Sequence, residues 1–214
     1  MYYDLLKLDK EMDMTKYSLK DLALYFEKFN GYVCEIRTEN ISLRFMIDVN
    51  VFPHLIGLQY AFKGKKNKND FKGATGFEKI KNGEITYDDI MKGIKNSGTN
   101  ISWTNIKNRI KFFPMFFNKL SKTKLLTRDD DLLCRKVFLR GNYFLYRSLP
   151  RNNFPILSLK DIGYGRIIIE TFIVDNDISL IGALKSEKII SIRLISPLKN
   201  TSPLVTKKDT ARVW

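Results

Sequence analysis

Two kinds of apolar pattern divide the chain, with helical spacing in the first half and short extended runs in the second. Ser18 with Asp21 three residues later, and Thr86 with Asp89, are capping pairs that predict the starts of two helices. Two alternating runs between these helices predict a β-hairpin. A short helix is expected over residues 53–62, followed by a basic loop that has no apolar period.

The helical block closes with a run of aromatic residues around Pro114. A proline removes one backbone hydrogen bond from a helix, so we expect this helix to bend or to stop there. Exposed aromatic rings stack on nucleic-acid bases, but so many adjacent large apolar side chains are more typical of a core. The rings considered for either role are Phe113, Phe116, Phe117, Tyr143, Phe144 and Tyr146.

Beyond residue 128 the pattern changes to extended runs separated by Gly, Asn, Asp and Pro. The predicted strands are LLCRKVFL, NYFLYRSL, FPILSL, RIIIETFIV and KIISIRLI. They predict an antiparallel or mixed sheet of about four to five strands. We therefore expect an α+β fold in one compact domain, with a helical and hairpin part over residues 1–125, a sheet part over 126–200 and a tail over 201–214.

Charge is unevenly distributed along the 214 residues, whose formal net charge is +14. Residues 51–128 hold 16 basic and 5 acidic side chains, so the middle of the chain is the electropositive part. A field of one sign attracts phosphates and raises the rate of encounter with nucleic acid. Nucleic acid is therefore the favoured partner. Solubility alone and an acidic protein partner are the alternatives.

Several classes of protein are excluded or disfavoured by composition. Apolar runs are too short for a membrane helix, and the first residues carry acids where a signal peptide is basic, so we expect a cytoplasmic protein without membrane contact. Cys34 and Cys134 lack CxxC spacing, which disfavours a disulfide scaffold but leaves a single bridge open. One histidine gives too few zinc ligands, and the carboxylates of residues 129–131 project in different directions, so neither a metal nor a cofactor is expected. Phosphate-loop, esterase and metalloprotease motifs do not occur.

One short motif carries a family resemblance. It follows the first helix and the hairpin, and it reads F-x-H-L-x-G-L at Phe52, His54, Leu55, Gly57 and Leu58. With this motif and this order of elements, the chain resembles the phage-type barnase/EndoU/colicin/RelE-like nuclease domains over about residues 15–195. The resemblance implies a four-stranded antiparallel sheet preceded by helices. It also implies metal-independent endonuclease or toxin activity toward RNA, encoded on phages and mobile elements.

Cleavage of RNA without a metal needs a group that removes the 2′-OH proton, a group that protonates the leaving 5′-oxygen, and fixed positive charge near the phosphate. His54, the single histidine, suits either proton transfer because its ordinary pKa is near 6.5. A Lys, Tyr, Asp or Glu would then complete the pair. The structural alternative is that the imidazole ties the start of a helix to neighbouring backbone.

Arginine supplies a planar fork for phosphate, and Arg147 is the first choice because it flanks a turn after a predicted strand. A surface ion pair is its alternative role. The resemblance adds Thr171 as a hydrogen-bond donor and Lys185 as a charge. Neighbours on a strand face opposite sides, so Glu170 and Thr171 are not expected to line one site. The predicted catalytic residues are His54, Arg147, Thr171 and Lys185. The predicted nucleic-acid-binding residues are Lys63, Lys65, Lys66, Lys68, Arg109, Lys111 and Arg151.

These observations favour a metal-independent, toxin-like endoribonuclease of a phage or mobile element. An antitoxin or a nucleoprotein complex is a candidate partner. The alternative is a non-catalytic basic phage or defence protein that binds nucleic acid or a nucleoprotein complex, for example as an inhibitor. A weaker alternative is an assembly module that binds protein through exposed aromatic residues. The first two hypotheses differ on whether His54 shares a concave surface with Arg147, Thr171 or Lys185.

Overall fold

The computed structural model describes residues 2–128, 140–177 and 184–197 and has the α+β fold expected from the sequence. The α-helices in these ranges are α1 (Leu19–Glu27), α2 (Phe52–Leu55), α3 (Leu58–Ala61), α4 (Gly73–Lys81), α5 (Tyr87–Asn96) and α6 (Trp103–Asn118). The strands are β1 (Val33–Thr38), β2 (Ser42–Met46), β3 (Lys124–Thr127), β4 (Tyr143–Tyr146), β5 (Phe154–Asp161), β6 (Ile167–Asp175), β7 (Lys185–Glu187) and β8 (Ile189–Ile195). Within the same ranges, every helix is too short or too polar to cross a lipid bilayer.

The strands form one eight-stranded sheet in the order β7-β3-β4-β5-β6-β2-β1-β8. Neighbouring strands are antiparallel except β2 and β6, which run parallel. The edge strands β7 and β8 are separated in sequence by Lys188 alone, so the sheet nearly closes on itself. The expected four to five strands are therefore too few, because the hairpin β1–β2 belongs to the same sheet as the C-terminal strands.

Two strands of this sheet were not predicted. β3 has four residues and β7 has three, so neither is long enough to show an alternating pattern. Both are held by pairing with neighbours that are distant in sequence, β4 for β3 and β3 for β7. The predicted strand LLCRKVFL, the acidic residues 129–131 and the tail 201–214 lie outside the described residues.

The helix starts agree with the capping pairs. The Ser18 hydroxyl accepts a hydrogen bond from the backbone N–H of Asp21 at 3.1 Å, and Thr86 makes the equivalent bond with Asp89 at 3.3 Å. The helix expected over 53–62 is divided into α2 and α3 by Gly57, whose φ of +84° is left-handed.

Of the two outcomes expected at Pro114, a bend or a stop, the stop is wrong, because α6 runs on to Asn118. The side-chain hydroxyl of Tyr25 lies 3.0 Å from the carbonyl oxygen of Pro114 and 2.8 Å from Oδ1 of Asn118. These contacts tie the last turn of α6 to α1 and stabilise the helix beyond the proline.

The aromatic run in α6 forms the centre of the core. The Phe113 ring packs against the rings of Phe26, Phe52 and Phe172 with centroids 5.1–5.5 Å apart. All of these rings are fully buried, which confirms the interpretation of this run as core. The same cluster contains residues from the helices, the hairpin and the C-terminal strands. Both sequence parts, 1–125 and 126–200, therefore contribute to this cluster, and the C-terminal part has a second, smaller cluster around Phe144 and Phe154.

Candidate active site

His54 is the exposed residue of a helix whose other side chains are anchored in the core. Phe52, Pro53 and Leu55 are buried, whereas His54 is exposed. The Phe52 ring contacts the rings of Phe26, Phe77 and Phe113 with centroids 5.5–6.0 Å apart. Because α2 is held on that side, the direction of the imidazole is fixed by the fold.

The helix that carries His54 packs against β6, the strand beside β2. In the described residues, β2 and β6 pair only at Phe45 and Ile167, and β2 ends at Met46. This arrangement brings His54 next to Glu170 in the middle of β6.

The surroundings of His54 lower its pKa below the ordinary value of 6.5. Partial removal of water by the neighbouring residues is the main cause, followed by the positive charge of Arg109, with a smaller contribution from Lys72. Glu170 opposes this lowering through its carboxylate charge and through a backbone hydrogen bond with the ring. The imidazole is therefore neutral at pH 7 and able to accept a proton.

Arg109 is a buried guanidinium whose hydrogen bonds are incomplete. Its residue exposure is 5%, and its central carbon lies 5.6 Å from the ring centroid of Tyr60 on α3. Its Nη1 atom is buried and has no hydrogen-bond partner among the described residues. Desolvation lowers the pKa of Arg109, while interaction with Tyr60 raises it. A buried donor of this kind costs stability, and an anionic ligand would satisfy it.

A side chain of the neighbouring strand β5 fixes the carboxylate of Glu170. The Ser158 hydroxyl, which is fully buried, donates a hydrogen bond to Oε2 of Glu170 at 2.8 Å. The register of β5 and β6 shifts next to Ser158, so that Thr171 lies opposite Ser158 and Ile169 opposite Leu159. Glu170 is the extra residue of this bulge, and bulges re-aim side chains next to functional sites.

A basic cavity of about 480 Å³ lies beside α3 and the segment that follows it. Its lining residues are Gln59, Tyr60, Lys63, Gly64, Lys68, Lys72, Gly98, Thr99, Asn100 and Ile101. The Tyr60 ring in this lining contacts Arg109, and the charge of Lys72 lies close enough to His54 to lower the pKa of the imidazole. The lining contains three lysines and no acidic residue. We call His54, Arg109, Glu170 and Lys72 the His54 cluster.

Arg147 and Lys185 lie apart from the His54 cluster. Arg147 is half-buried at the end of β4, where Nη1 donates a hydrogen bond to the carbonyl oxygen of Met115 at 3.3 Å. Lys185 is on the edge strand β7, four positions from β6 in the sheet order, and its Nζ lies 3.3 Å from Oε1 of Glu187. The structure thus brings His54 together with Arg109 and not with Arg147.

The remaining predicted residues lie in three different environments. Lys63, Lys65 and Lys68 line cavities beside α3, and Lys66 is exposed on the same segment. Thr171 is buried, with 8% of its residue surface exposed. The other two are remote from this segment: Nζ of Lys111 lies 2.8 Å from Oε2 of Glu11, and Arg151 lines a separate cavity near Met115.

Sequence reasoning missed Tyr60, Gln59 and Lys72, and it predicted Arg109 only as a nucleic-acid-binding residue of a basic helix. Arg109 in fact shares the apolar stripe of α6 with Ile106 and Ile110. An arginine within such a stripe was the available signal, since charged residues are seldom buried without a role. For Tyr60 and Gln59, the sequence pattern gives no comparable signal. No group of three or more His, Cys, Asp and Glu side chains converges in ranges 2–128, 140–177 and 184–197.

Comparison with known families agrees with the nuclease interpretation. Residues 18–192 match the family described as phage-Barnase-EndoU-ColicinE5/D-RelE like nuclease4, PBECR4. The chain therefore belongs to this nuclease family, which confirms the resemblance at the level of the family. Neither a curated protein nor a solved structure matches the chain.

Proposed function

We propose that this protein is a metal-independent endoribonuclease of the toxin type, with its active site at the His54 cluster. The observation that carries the proposal is an exposed imidazole close to a buried guanidinium with an unpaired N–H, whose positive charge helps to hold the pKa of the imidazole below its ordinary value. Family membership supports nuclease chemistry. The basic cavity next to the cluster supports a polyanionic substrate.

In the proposed reaction, His54 removes the proton from the ribose 2′-OH. The 2′-oxygen attacks the adjacent phosphorus, and the bond between phosphorus and the 5′-oxygen breaks as the new bond forms. Arg109 donates hydrogen bonds to the phosphate oxygens as negative charge develops on them. Lys72 is the proposed donor of the proton to the leaving 5′-oxygen. The products are a 2′,3′-cyclic phosphate and a 5′-hydroxyl, with no oxidant or cofactor consumed.

Glu170 has a supporting role in this proposal. Its carboxylate is fixed by the Ser158 hydroxyl, and its charge raises the proton affinity of the imidazole. It therefore stabilises the imidazolium that forms when His54 accepts a proton. Thr171 and Lys185 have no part in the proposed step, because Thr171 is buried opposite Ser158 and Lys185 is paired at the sheet edge.

The proposal is tested with a single-stranded oligoribonucleotide in EDTA, comparing the wild-type protein with His54→Asn. We expect the wild type to release fragments ending in a 2′,3′-cyclic phosphate, and the variant to be slower by about 10²–10⁴-fold. An all-deoxy oligonucleotide is the matched substrate control and should remain intact, since it has no 2′-OH. The His54 ring has a hydrogen bond with the Glu170 backbone, so thermal unfolding of the variant is measured alongside to verify its fold.

Two results would overturn the proposal. The first is intact RNA after incubation with the wild type, both with and without Mg²⁺. The second is cleavage by His54→Asn at the wild-type rate. Salt-sensitive RNA binding without any product would instead identify the protein as the non-catalytic nucleic-acid binder considered above. Growth arrest on cytoplasmic expression, lost in His54→Asn, is the expected sign of a toxin role.

A further inference from the structure

The cavity beside α3 contains an amide side chain without hydrogen bonds. Gln59 lines the cavity, and both its amide nitrogen and its amide oxygen are buried without a partner in the described part of the chain. Leaving a buried donor and a buried acceptor unpaired costs stability. A ligand that supplies a complementary acceptor and donor would satisfy both groups.

The rest of the lining defines what kind of ligand would enter. Lys63, Lys68 and Lys72 form no ion pair with the described acidic residues, so the cavity keeps their positive charge. Ammonium groups of this kind bind phosphate. An amide, in contrast, pairs with the edge of a nucleobase, which presents a donor beside an acceptor. The two kinds of group together fit a nucleotide better than an inorganic anion.

We propose that this cavity is a nucleotide subsite in which Gln59 reads the base and the lysines hold the phosphates. The inference rests on the proposed function for its orientation: Lys72 and Tyr60 place the subsite next to the His54 cluster, so it would take a nucleotide adjacent to the cleaved bond. A second cavity of about 480 Å³ shares Lys63 and Gly64 with the first and adds Lys65 and Lys92, together with one carboxylate, Asp89. In this proposal the RNA strand continues from the first cavity into the second, past its lysines.

The test measures binding of the four ribonucleoside 3′-monophosphates to the full chain by calorimetry, without any cleavage step. For the wild type we expect at least about a tenfold difference in Kd between the best and the worst base. Gln59→Leu removes the amide and should reduce this difference to less than about twofold. Lys68→Ala should weaken all four nucleotides by a similar factor, because phosphate contacts carry no information about the base.

Asn69→Leu is the matched control for loss of an amide. Asn69 is exposed on the same basic segment and is not among the residues lining either cavity. This variant should bind all four nucleotides as the wild type does. Thermal unfolding of each variant verifies the fold, and Gln59→Leu should not be less stable, since it removes two unpaired buried polar atoms.

The inference is overturned if the wild type binds the four nucleotides equally or not at all, or if Gln59→Leu retains the wild-type base preference. The wild-type comparison alone decides the matter should Gln59→Leu fail to fold. The outcome is distinguishable from failure of the proposed function. Base-selective binding by a protein that leaves RNA intact supports the subsite alone, and cleavage without base-selective binding supports the nuclease alone.

Discussion

Two arginine guanidinium groups lie along helix α6, one at each half, and they differ in their hydrogen bonds. Arg147 packs beside the C-terminal half and donates a hydrogen bond to the carbonyl oxygen of Met115. Arg109, within the N-terminal half, is more deeply buried, and its Nη1 has no partner in the described ranges. Desolvation lowers the pKa of both groups. Arg147 is therefore hydrogen-bonded within the protein, whereas Arg109 retains an N–H donor that is unpaired among the described residues.

This difference indicates which of the two arginines is available to bind a substrate phosphate. A donor that is already hydrogen-bonded to backbone must give up that bond before it binds phosphate, whereas an unpaired donor loses nothing. Arg109 also lowers the pKa of His54, and it contacts Tyr60 at the edge of the basic cavity. The N-terminal half of α6 therefore contributes Arg109 to the site and Ile106 and Ile110 to the core, whereas the aromatic C-terminal half packs in the core.

The largest expected effect comes from removing each of the two guanidinium groups in turn. Arg109→Met should lower the rate of RNA cleavage by about 10²–10³-fold, since it removes a preorganised donor to the phosphate. Arg147→Met should leave the rate within about threefold of the wild type. Cleavage of the same oligoribonucleotide by the two variants is the measurement.

The free energy of unfolding should show the opposite order of effects, with the larger loss in Arg147→Met. Arg109→Met removes a buried, incompletely bonded charge and should leave the free energy of unfolding unchanged or raise it. Arg147→Met breaks a charged hydrogen bond and should lower it by about 1 kcal/mol. Urea unfolding measures both. If Arg147→Met is the variant that loses cleavage, or Arg109→Met the one that loses stability, the contrast between the two arginines is wrong.

A smaller effect is expected at Gly57, which joins α2 to α3 beside α6. Its φ is +84°, and a Cβ at this position would collide with the terminal methyl group of Ile106. Gly57→Ala should lower the free energy of unfolding by about 2 kcal/mol. It should also slow cleavage by about tenfold, because it displaces His54 from Arg109.

Gly83→Ala is the control for this backbone effect. Gly83 has a similar φ of +80°, but a Cβ there would meet only the Lys20 side chain at 4.0 Å. This variant should lose stability through the backbone alone and cleave RNA at the wild-type rate. Equal loss of activity in both variants would show that the contact between Gly57 and Ile106 does not position the site.

Local features of the fold could be predicted from the sequence. Capping at Ser18 and Thr86 depends on residues three positions apart, and the core role of the aromatic run depends on composition. Closure of the sheet through β7 and β8 depends on pairing between distant segments, and β7 is too short to leave a pattern. The strand count was underestimated for this reason.

The candidate site was predictable only in part. His54 stood out because it is the single histidine, and the lysines after α3 stood out as a charge run. The position of His54 close to Arg109 and Glu170 depends on the packing of α2 against β6 and on the bulge near Ser158. Neither feature has a sequence signature here. Arg147 was chosen for its place after a strand, and nothing in the sequence revealed its bond to Met115.

The most direct test of the central claim follows the single histidine by NMR during a pH titration. The chain has one histidine, so its ring C–H resonance reports His54 without ambiguity. We predict a pKa below 6.5 in the wild type, and an increase in Arg109→Met because the neighbouring positive charge is removed. The rate of cleavage should rise with pH through the same value, as a base must be neutral to accept a proton. In Arg147→Met the pKa should not change. A pKa at or above 6.5 in the wild type, or one that shifts in Arg147→Met and not in Arg109→Met, would contradict the account.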